Sequence, residues 1–314
     1  MENNQLLISS SPHIRGEENV PQIMKDVVIA LLPATLAGIY FFRTGALINV
    51  ISGVAGAVIA EYACQKIMKK PVTINDFSAV VTGLLVSMNV PASIPFWMTF
   101  IGAVFAIVIA KQLFGGLGHN FINPALIARA ALLAAYPSQM TAWVTPGPDA
   151  VSCATPLAII KDPAATQETL INMFIGNTAG TIGETSALLL MLGGIYLIYR
   201  KVISARIPLA YLTTVALLTF LFSGGNPVMV PYNLFAGGLM LGAFFMATDY
   251  ASSPVDSKAQ IVYGIGCGIL TSVIRYYGGY PEGVSYSILL MNVCAPLMDK
   301  LMAPKIFGKV AKKK

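Results

Sequence analysis

The chain has 314 residues, of which 56% are apolar and only 11% charged, less than half the charged share of an ordinary soluble domain. A mean hydropathy of +0.71 excludes a water-soluble globule. The formal net charge of +6 does not mark a nucleic-acid binder, because the basic residues sit at the ends of apolar runs and in the tail Lys309, Lys312, Lys313, Lys314, where membrane topology places them.

In chain order, residues 1–22 are polar, with Pro12, Gly16, Glu17 and Glu18 and no apolar core of a cleavable leader, and read as a cytoplasmic tail. Ten apolar runs follow: Val27 to Phe42, Ala46 to Cys64, Phe77 to Val90, Phe96 to Ala110, Phe121 to Tyr136, Thr185 to Tyr199, Ile207 to Phe222, Leu234 to Thr248, Ala259 to Ile274, and Val284 to Leu297. A bilayer core about 30 Å thick needs roughly 20 apolar residues per helix, so these runs predict a polytopic membrane protein. With the N-terminus inside, the inner segments carry Arg15, Lys25, Lys66, Lys69, Lys70, Lys111, Arg200, Lys201, Arg206, Lys258, Lys300, Lys305 and the tail lysines. The outer segments carry Arg43, Lys161 and Arg275, and Arg129 lies within a run. That excess sets both termini in the cytoplasm and puts the long loop Pro137 to Glu184 outside.

Phe77 to Val90 and Leu234 to Thr248 are short runs that end in Pro91 and Pro95, and in Asp249 and Pro254. Each precedes a full run ending in a basic residue and a glycine pair, Lys111 with Gly115-Gly116 and Arg275 with Gly278-Gly279. Five helices repeated once have inverted topology, and interrupted helices at matching places in two halves point to a central site; the plainer reading is that Pro and Gly are common in membrane helices. The expected fold is all-α and polytopic, with about ten transmembrane helices in two inverted five-helix repeats, residues 23–136 and 185–304. The outer loop 137–184 separates them and a basic cytoplasmic tail, 305–314, follows.

The outer loop contains Ser152-Cys-Ala-Thr155-Pro156 but no histidine, and the nearest carboxylates are Asp149 and Asp162, so a Ser/Thr hydrolase is not supported. An exposed hydroxyl with slim neighbours suits modification instead. Cys64, Cys153, Cys267 and Cys294 are far apart with no CxxC spacing, so neither a cluster nor a zinc site is expected. Arg129 reads as charge balance for a partner or as a snorkelling side chain. Asp249 reads as an ion-path residue or a helix cap, and Glu61 and Asp76 as solvated or paired with Lys66, Lys69 or Lys70. Asn120 and Asn123 read as a capped helix start with Pro124 or as a central site.

Further motifs span nearly the whole chain: Ser11-Pro-His-Ile-Arg15, Ile29-Ala-Leu-Leu-Pro-Ala34, Gly115-Gly-Leu-Gly-His-Asn-Phe-Ile-Asn-Pro-Ala125, Ser152-Cys-Ala-Thr155, Gly183-Glu-Thr-Ser186 and Phe245-Met-Ala-Thr-Asp249. On these the chain resembles the family of D subunits of Rnf complexes, the ion-pumping ferredoxin:NAD oxidoreductases, and more distantly the B subunits of the sodium-pumping NADH:quinone reductases. The resemblance implies FMN joined to Thr155 by a phosphoester that a separate flavin transferase installs, with Ser152, Cys153 and Ala154 as its flank; the family usually has Gly where this chain has Cys153. By topology Gly183, Glu184, Thr185 and Ser186 start a helix on the same outer face and are expected near that flavin, where a helix N-terminus offers free N–H groups, against plain capping. Asn120, Asn123 and Arg129 are left to a central site or to a second, non-covalent flavin such as riboflavin, because by topology they start on the other face. The implied protein is a multi-pass component of the bacterial inner membrane that relays electrons and contributes to Na⁺ or H⁺ transport. Its implied partners are iron-sulfur membrane subunits, a second FMN-bearing subunit and soluble ferredoxin- and NAD-reacting subunits. It is not catalytic alone, having no dinucleotide fingerprint and no cluster ligands. A small-solute channel or secondary transporter without redox chemistry is the alternative.

Overall fold

The computed structural model describes residues 19–147, 153, 155–157, 169–279 and 282–303, all helix, turn and loop apart from isolated bridge residues, Pro91 paired with Thr181 among them. The polar N-terminal motif and the basic tail lie outside the described residues. Helix α1 spans Val20–Ile67, starting seven residues before the expected run. Asn19 caps it in a reciprocal box with Gln22, which satisfies N–H groups that a helix start leaves bare. Arg43, with φ 53 and ψ −131, breaks α1 into two arms, so the first two expected runs become one bent element.

Helix α2 (Ser78–Met88) follows a short 3₁₀ turn and is started by Asp76, whose Oδ1 accepts from Ser78 N at 2.8 Å and Ser78 Oγ at 2.6 Å. Helix α3 (Phe96–Ile107) runs on into a π turn, Val108–Gln112. Helix α4 is Pro124–Ala135, and two short pieces, α5 (Pro137–Met140) and α6 (Leu170–Ile175), fall in the long loop. Then come α7 (Ala187–Tyr199), α8 (Arg206–Phe222), α9 (Met229–Phe235), α10 (Leu239–Leu241) with a second π turn at Gly242–Met246, α11 (Ser257–Tyr277) and α12 (Gly283–Met302). Where one short span was expected at Leu234 to Thr248, the axis bends by 66° between α9 and α10, because Ala236 turns to extended φ and ψ and Gly237 has φ 64.

Small residues let the backbones approach closely, as membrane helices require. A Cβ on Gly83 of α2 would stand 2.7 Å from Gly53 O of α1, and one on Gly264 of α11 would stand 2.9 Å from Ile207 O of α8. Hydroxyls tie the second half together: Tyr211 of α8 and Thr271 of α11 lie 2.6 Å apart, and Thr271 lies 2.7 Å from Ser287 of α12. Large apolar side chains such as Leu36, Leu217, Leu221 and Leu301 cover the outside instead of the core. The protein is thus an all-helical membrane protein. Among the described residues α1 and α11 are long and apolar enough to cross a bilayer, with the bent α9–α10 pair a third, and shorter apolar helices stand beside them.

Candidate functional site

The two π turns border one cavity of about 90 Å³. Such turns insert one extra residue per helical turn and recur at functional sites. Here the first contributes Lys111 and the second Phe244 and Phe245; Val27, Val81 and Leu85 add apolar wall, and Ser78, Thr82, Asn120, Asn123 and Asp249 supply polar edges. Asn123 Oδ1 accepts from Ala125 N at 3.0 Å and Leu126 N at 3.3 Å, capping α4, while its Nδ2 donates to Met246 O at 3.2 Å in the second π turn. Asn120 Nδ2 donates to Asp249 Oδ2 at 3.2 Å, and Ser252 Oγ donates to the same oxygen at 2.8 Å. The structure therefore brings Asn120, Asn123 and Asp249 together, although the sequence reading treats Asp249 separately.

Glu61 corrects another expectation. It is 1% exposed and takes a hydrogen bond from Lys111 Nζ at 2.9 Å and from Gln112 Nε2 at 2.9 Å. Burial on the inner face of α1 keeps it from the lysines at the helix end, and Asp76 serves the start of α2. Lys111, expected as a flanking charge, is buried because the π turn rotates it inward.

Arg129 does not line this cavity, against its expected grouping with Asn120 and Asn123, and it does not snorkel. Less than two helical turns beyond Asn123, it faces the other way along α4, forming an ion pair with Glu282 and donating to Ser285 Oγ at 2.9 Å and Asn89 Oδ1 at 3.4 Å. Glu184 Oε1 stands 3.9 Å from Arg129 Nη2. Arg275, expected on an outer segment, is buried and donates from Nη1 to Asn233 O at 2.6 Å and from Nη2 to Ala236 O at 3.0 Å. It thus serves the carbonyls stranded where α9 stops. The recurrence of Lys111 and Arg275 before glycine pairs was the sequence signal for these two buried cations.

The Gly183 to Ser186 element is packed inside the bundle, since a Cβ on Gly183 would stand 2.7 Å from Met88 O and 2.8 Å from Leu241 Cδ2. Ser186 caps α7 by accepting from Leu189 N at 3.3 Å, and Thr185 Oγ1 donates to Ile182 O at 3.2 Å. Thr155 is 7% exposed, a correction to the exposed hydroxyl expected. The following Leu157 explains it: Leu157 packs with Met173, Tyr232 and Ala236 and sits over Gly237, drawing the loop onto the α9–α10 bend beside Arg275. Cys153 N donates to Trp143 O at 3.2 Å. Ser152 and Ala154 lie outside the described residues.

The family model described as NQR2, RnfD, RnfE matches residues 7–308. The D subunit of a Na⁺-translocating ferredoxin:NAD⁺ oxidoreductase complex from Acetobacterium woodii is 52% identical over 307 residues, covering 96% of this chain and 95% of that protein. A proton-translocating counterpart from Clostridium ljungdahlii is 48% identical, covering 97% of each. The D subunit of an ion-translocating oxidoreductase complex from Halorhodospira halophila is 36% identical, covering 96% and 95%.

Proposed function

Because the chain belongs to the NQR2, RnfD, RnfE family, we propose that it serves as the D subunit of an ion-translocating ferredoxin:NAD oxidoreductase complex. In this reading it crosses the bacterial inner membrane ten times as two inverted five-helix units, with its termini in the cytoplasm and the loop 137–184 outside. The observation that carries the function is the match at 52% and 48% identity along almost the full length of proteins bearing that name. The inverted reading is supported by the matching placement of Lys111 and Arg275 in the two halves.

FMN joined to Thr155 through its phosphate is the cofactor proposed for the loop, and when bound it supplies the redox chemistry. The residues fit it in part. The loop is anchored by Leu157 on the bend, and two surface cavities of about 460 and 350 Å³ that share Arg43 and Gly147 lie along its first half, a size that suits small-molecule sites. Tyr40 and Phe41 line one of them. With Thr155 only 7% exposed, the proposed modification would precede the packing of Leu157 on the bend. For a second, non-covalent flavin such as riboflavin the proposed place is beside the Asn120 and Asn123 amides, where the cavity between the π turns, at about 90 Å³, would have to widen several-fold to take the ring.

The test is in-gel flavin fluorescence after denaturation, with the chain made alongside a flavin transferase. Native chain is expected to fluoresce and Thr155→Val to be dark. A dark native band removes the covalent flavin and favours a transporter without redox chemistry; fluorescence surviving Thr155→Val moves the attachment to Thr145, Ser152 or Thr166.

A further inference from the structure

Arg43 stands where α1 breaks, with φ 53 and ψ −131. That conformation is open to glycine and strained for a residue with a Cβ, so a chain needing only a hinge there would be better served by glycine. What arginine adds is its head. Arg43 is exposed, and its guanidinium has no ion pair or hydrogen bond among the described residues. Arg129 and Arg275, by contrast, are buried and engaged with Glu282 and with backbone carbonyls.

The cavities of about 460 and 350 Å³ meet at Arg43 and Gly147. Tyr40, 78% exposed, and Phe41 wall the larger one, with Asn177 also lining it. Gly147 has φ 141 and nothing within 4 Å of where a Cβ would stand, which leaves that wall open to a flat group. Aromatic walls, bare backbone, an amide and an unpaired cation suit a planar ring with a carbonyl edge better than a lone phosphate, which needs no aromatic wall. Cys153 N donates to Trp143 O at 3.2 Å. Thr155 on one strand of the loop, and the cavity wall at Val144 and Thr145 on the other, thus each start within two residues of that tie, at about 3.3–3.6 Å per residue. The separation is of the order that the ribityl phosphate arm of FMN spans.

Resting on the reading that Thr155 carries FMN, we propose that these cavities receive the flavin ring and that Arg43 holds its carbonyl edge, where the guanidinium stabilises the negative charge the ring gains on reduction. Arg43 itself exchanges neither electrons nor protons. A cation beside the ring favours its reduced form and raises the midpoint potential. The strained backbone is tolerated because it sets the guanidinium at that edge.

The experiment is a spectroelectrochemical titration of the full chain, made alongside a flavin transferase, as native protein and as Arg43→Lys, Arg43→Gln and Arg43→Gly. The midpoint potential should move to lower values in Arg43→Gln and Arg43→Gly and stay near native in Arg43→Lys. Arg43→Gly relieves the backbone and should unfold no earlier than the native chain, so a lowered potential there is not a folding defect. A potential unchanged in both Arg43→Gln and Arg43→Gly, or lowered as far in Arg43→Lys, overturns the proposal while the denatured band still fluoresces. A native band dark after denaturation overturns the tethered flavin itself and this assignment with it, which tells the two failures apart.

Discussion

Lys111 Nζ lies 2.9 Å from Glu61 Oε2 with the two side chains 3% and 1% exposed, so the second arm of α1 is pinned to the π turn of α3 by an ion pair out of reach of water. Removing one member of such a pair leaves a bare buried charge, at a cost of roughly 3–5 kcal/mol, whereas replacing both with well-packed neutral groups is often neutral. Glu61→Ala should therefore lower the thermal unfolding midpoint in detergent sharply, and Glu61→Gln combined with Lys111→Met should restore most of it. A loss in the double variant equal to the summed losses of its two single variants would show that the two charges are not coupled.

The contact between α1 and α2 leaves no room at Gly83, where an added Cβ would stand 2.7 Å from both Gly53 O and Val54 Cα. These are backbone atoms and cannot swing aside. Overpacking costs about 1–3 kcal/mol, and Gly83→Val should fall in or above that range by thermal unfolding. Gly279→Ala, where nothing lies within 4 Å of the added carbon, is the control expected to stay within experimental error of the native chain.

Helix placement was legible because apolar runs between charges carry the signal, and the described helices overlie those runs with ends shifted by a few residues. The bend between α9 and α10 was not legible as such: Gly237-Gly238 sits inside an apolar run, and only tertiary contact with Leu157 and Arg275 makes the break worth its lost hydrogen bonds. The cavity was half legible. Asn120 and Asn123 stood out as polar residues before Pro124, but their junction with Asp249 spans 129 positions of sequence, which no local pattern encodes. Arg129 is visible as an isolated charge, yet periodicity cannot say which face of α4 it takes, and the structure turns it away from Asn120 and Asn123 toward Glu282.

Asn123 performs two tasks with opposite chemistry, accepting from the first N–H groups of α4 through Oδ1 and donating to Met246 O through Nδ2. Loss of a helix N-cap costs about 0.5–2 kcal/mol. Asn123→Asp keeps the acceptor but sets an oxygen against Met246 O, and Asn123→Ala loses both roles. Both variants should lose any flavin that co-purifies non-covalently, measured by fluorescence of the acid extract, while α4 amides exchange faster only in Asn123→Ala. Retained flavin in Asn123→Asp would show that the bond to the second π turn does not shape the cavity.

Arg275 replaces hydrogen bonds that α9 would have made by continuing. In an unbroken helix Asn233 O would accept from Gly237 N, four residues on; with the axis bent, Nη1 fills that role at 2.6 Å and Nη2 binds Ala236 O at 3.0 Å. Hydrogen bonds to charged groups contribute about 1.5–3 kcal/mol each. A lysine ammonium is a point donor without the planar fork that spans two carbonyls, so Arg275→Lys should keep one bond and Arg275→Leu none. Hydrogen exchange of the amides from 235 to 241 is the measurement, with rates rising from native to Lys to Leu. Because Leu157 rests on Gly237 beside the guanidinium, the loop should loosen in the same order, and Thr155 should become more accessible as the bend gives way. Uniform exchange across the three proteins would mean that packing by Leu157, Met173 and Tyr232 holds the break without the cation.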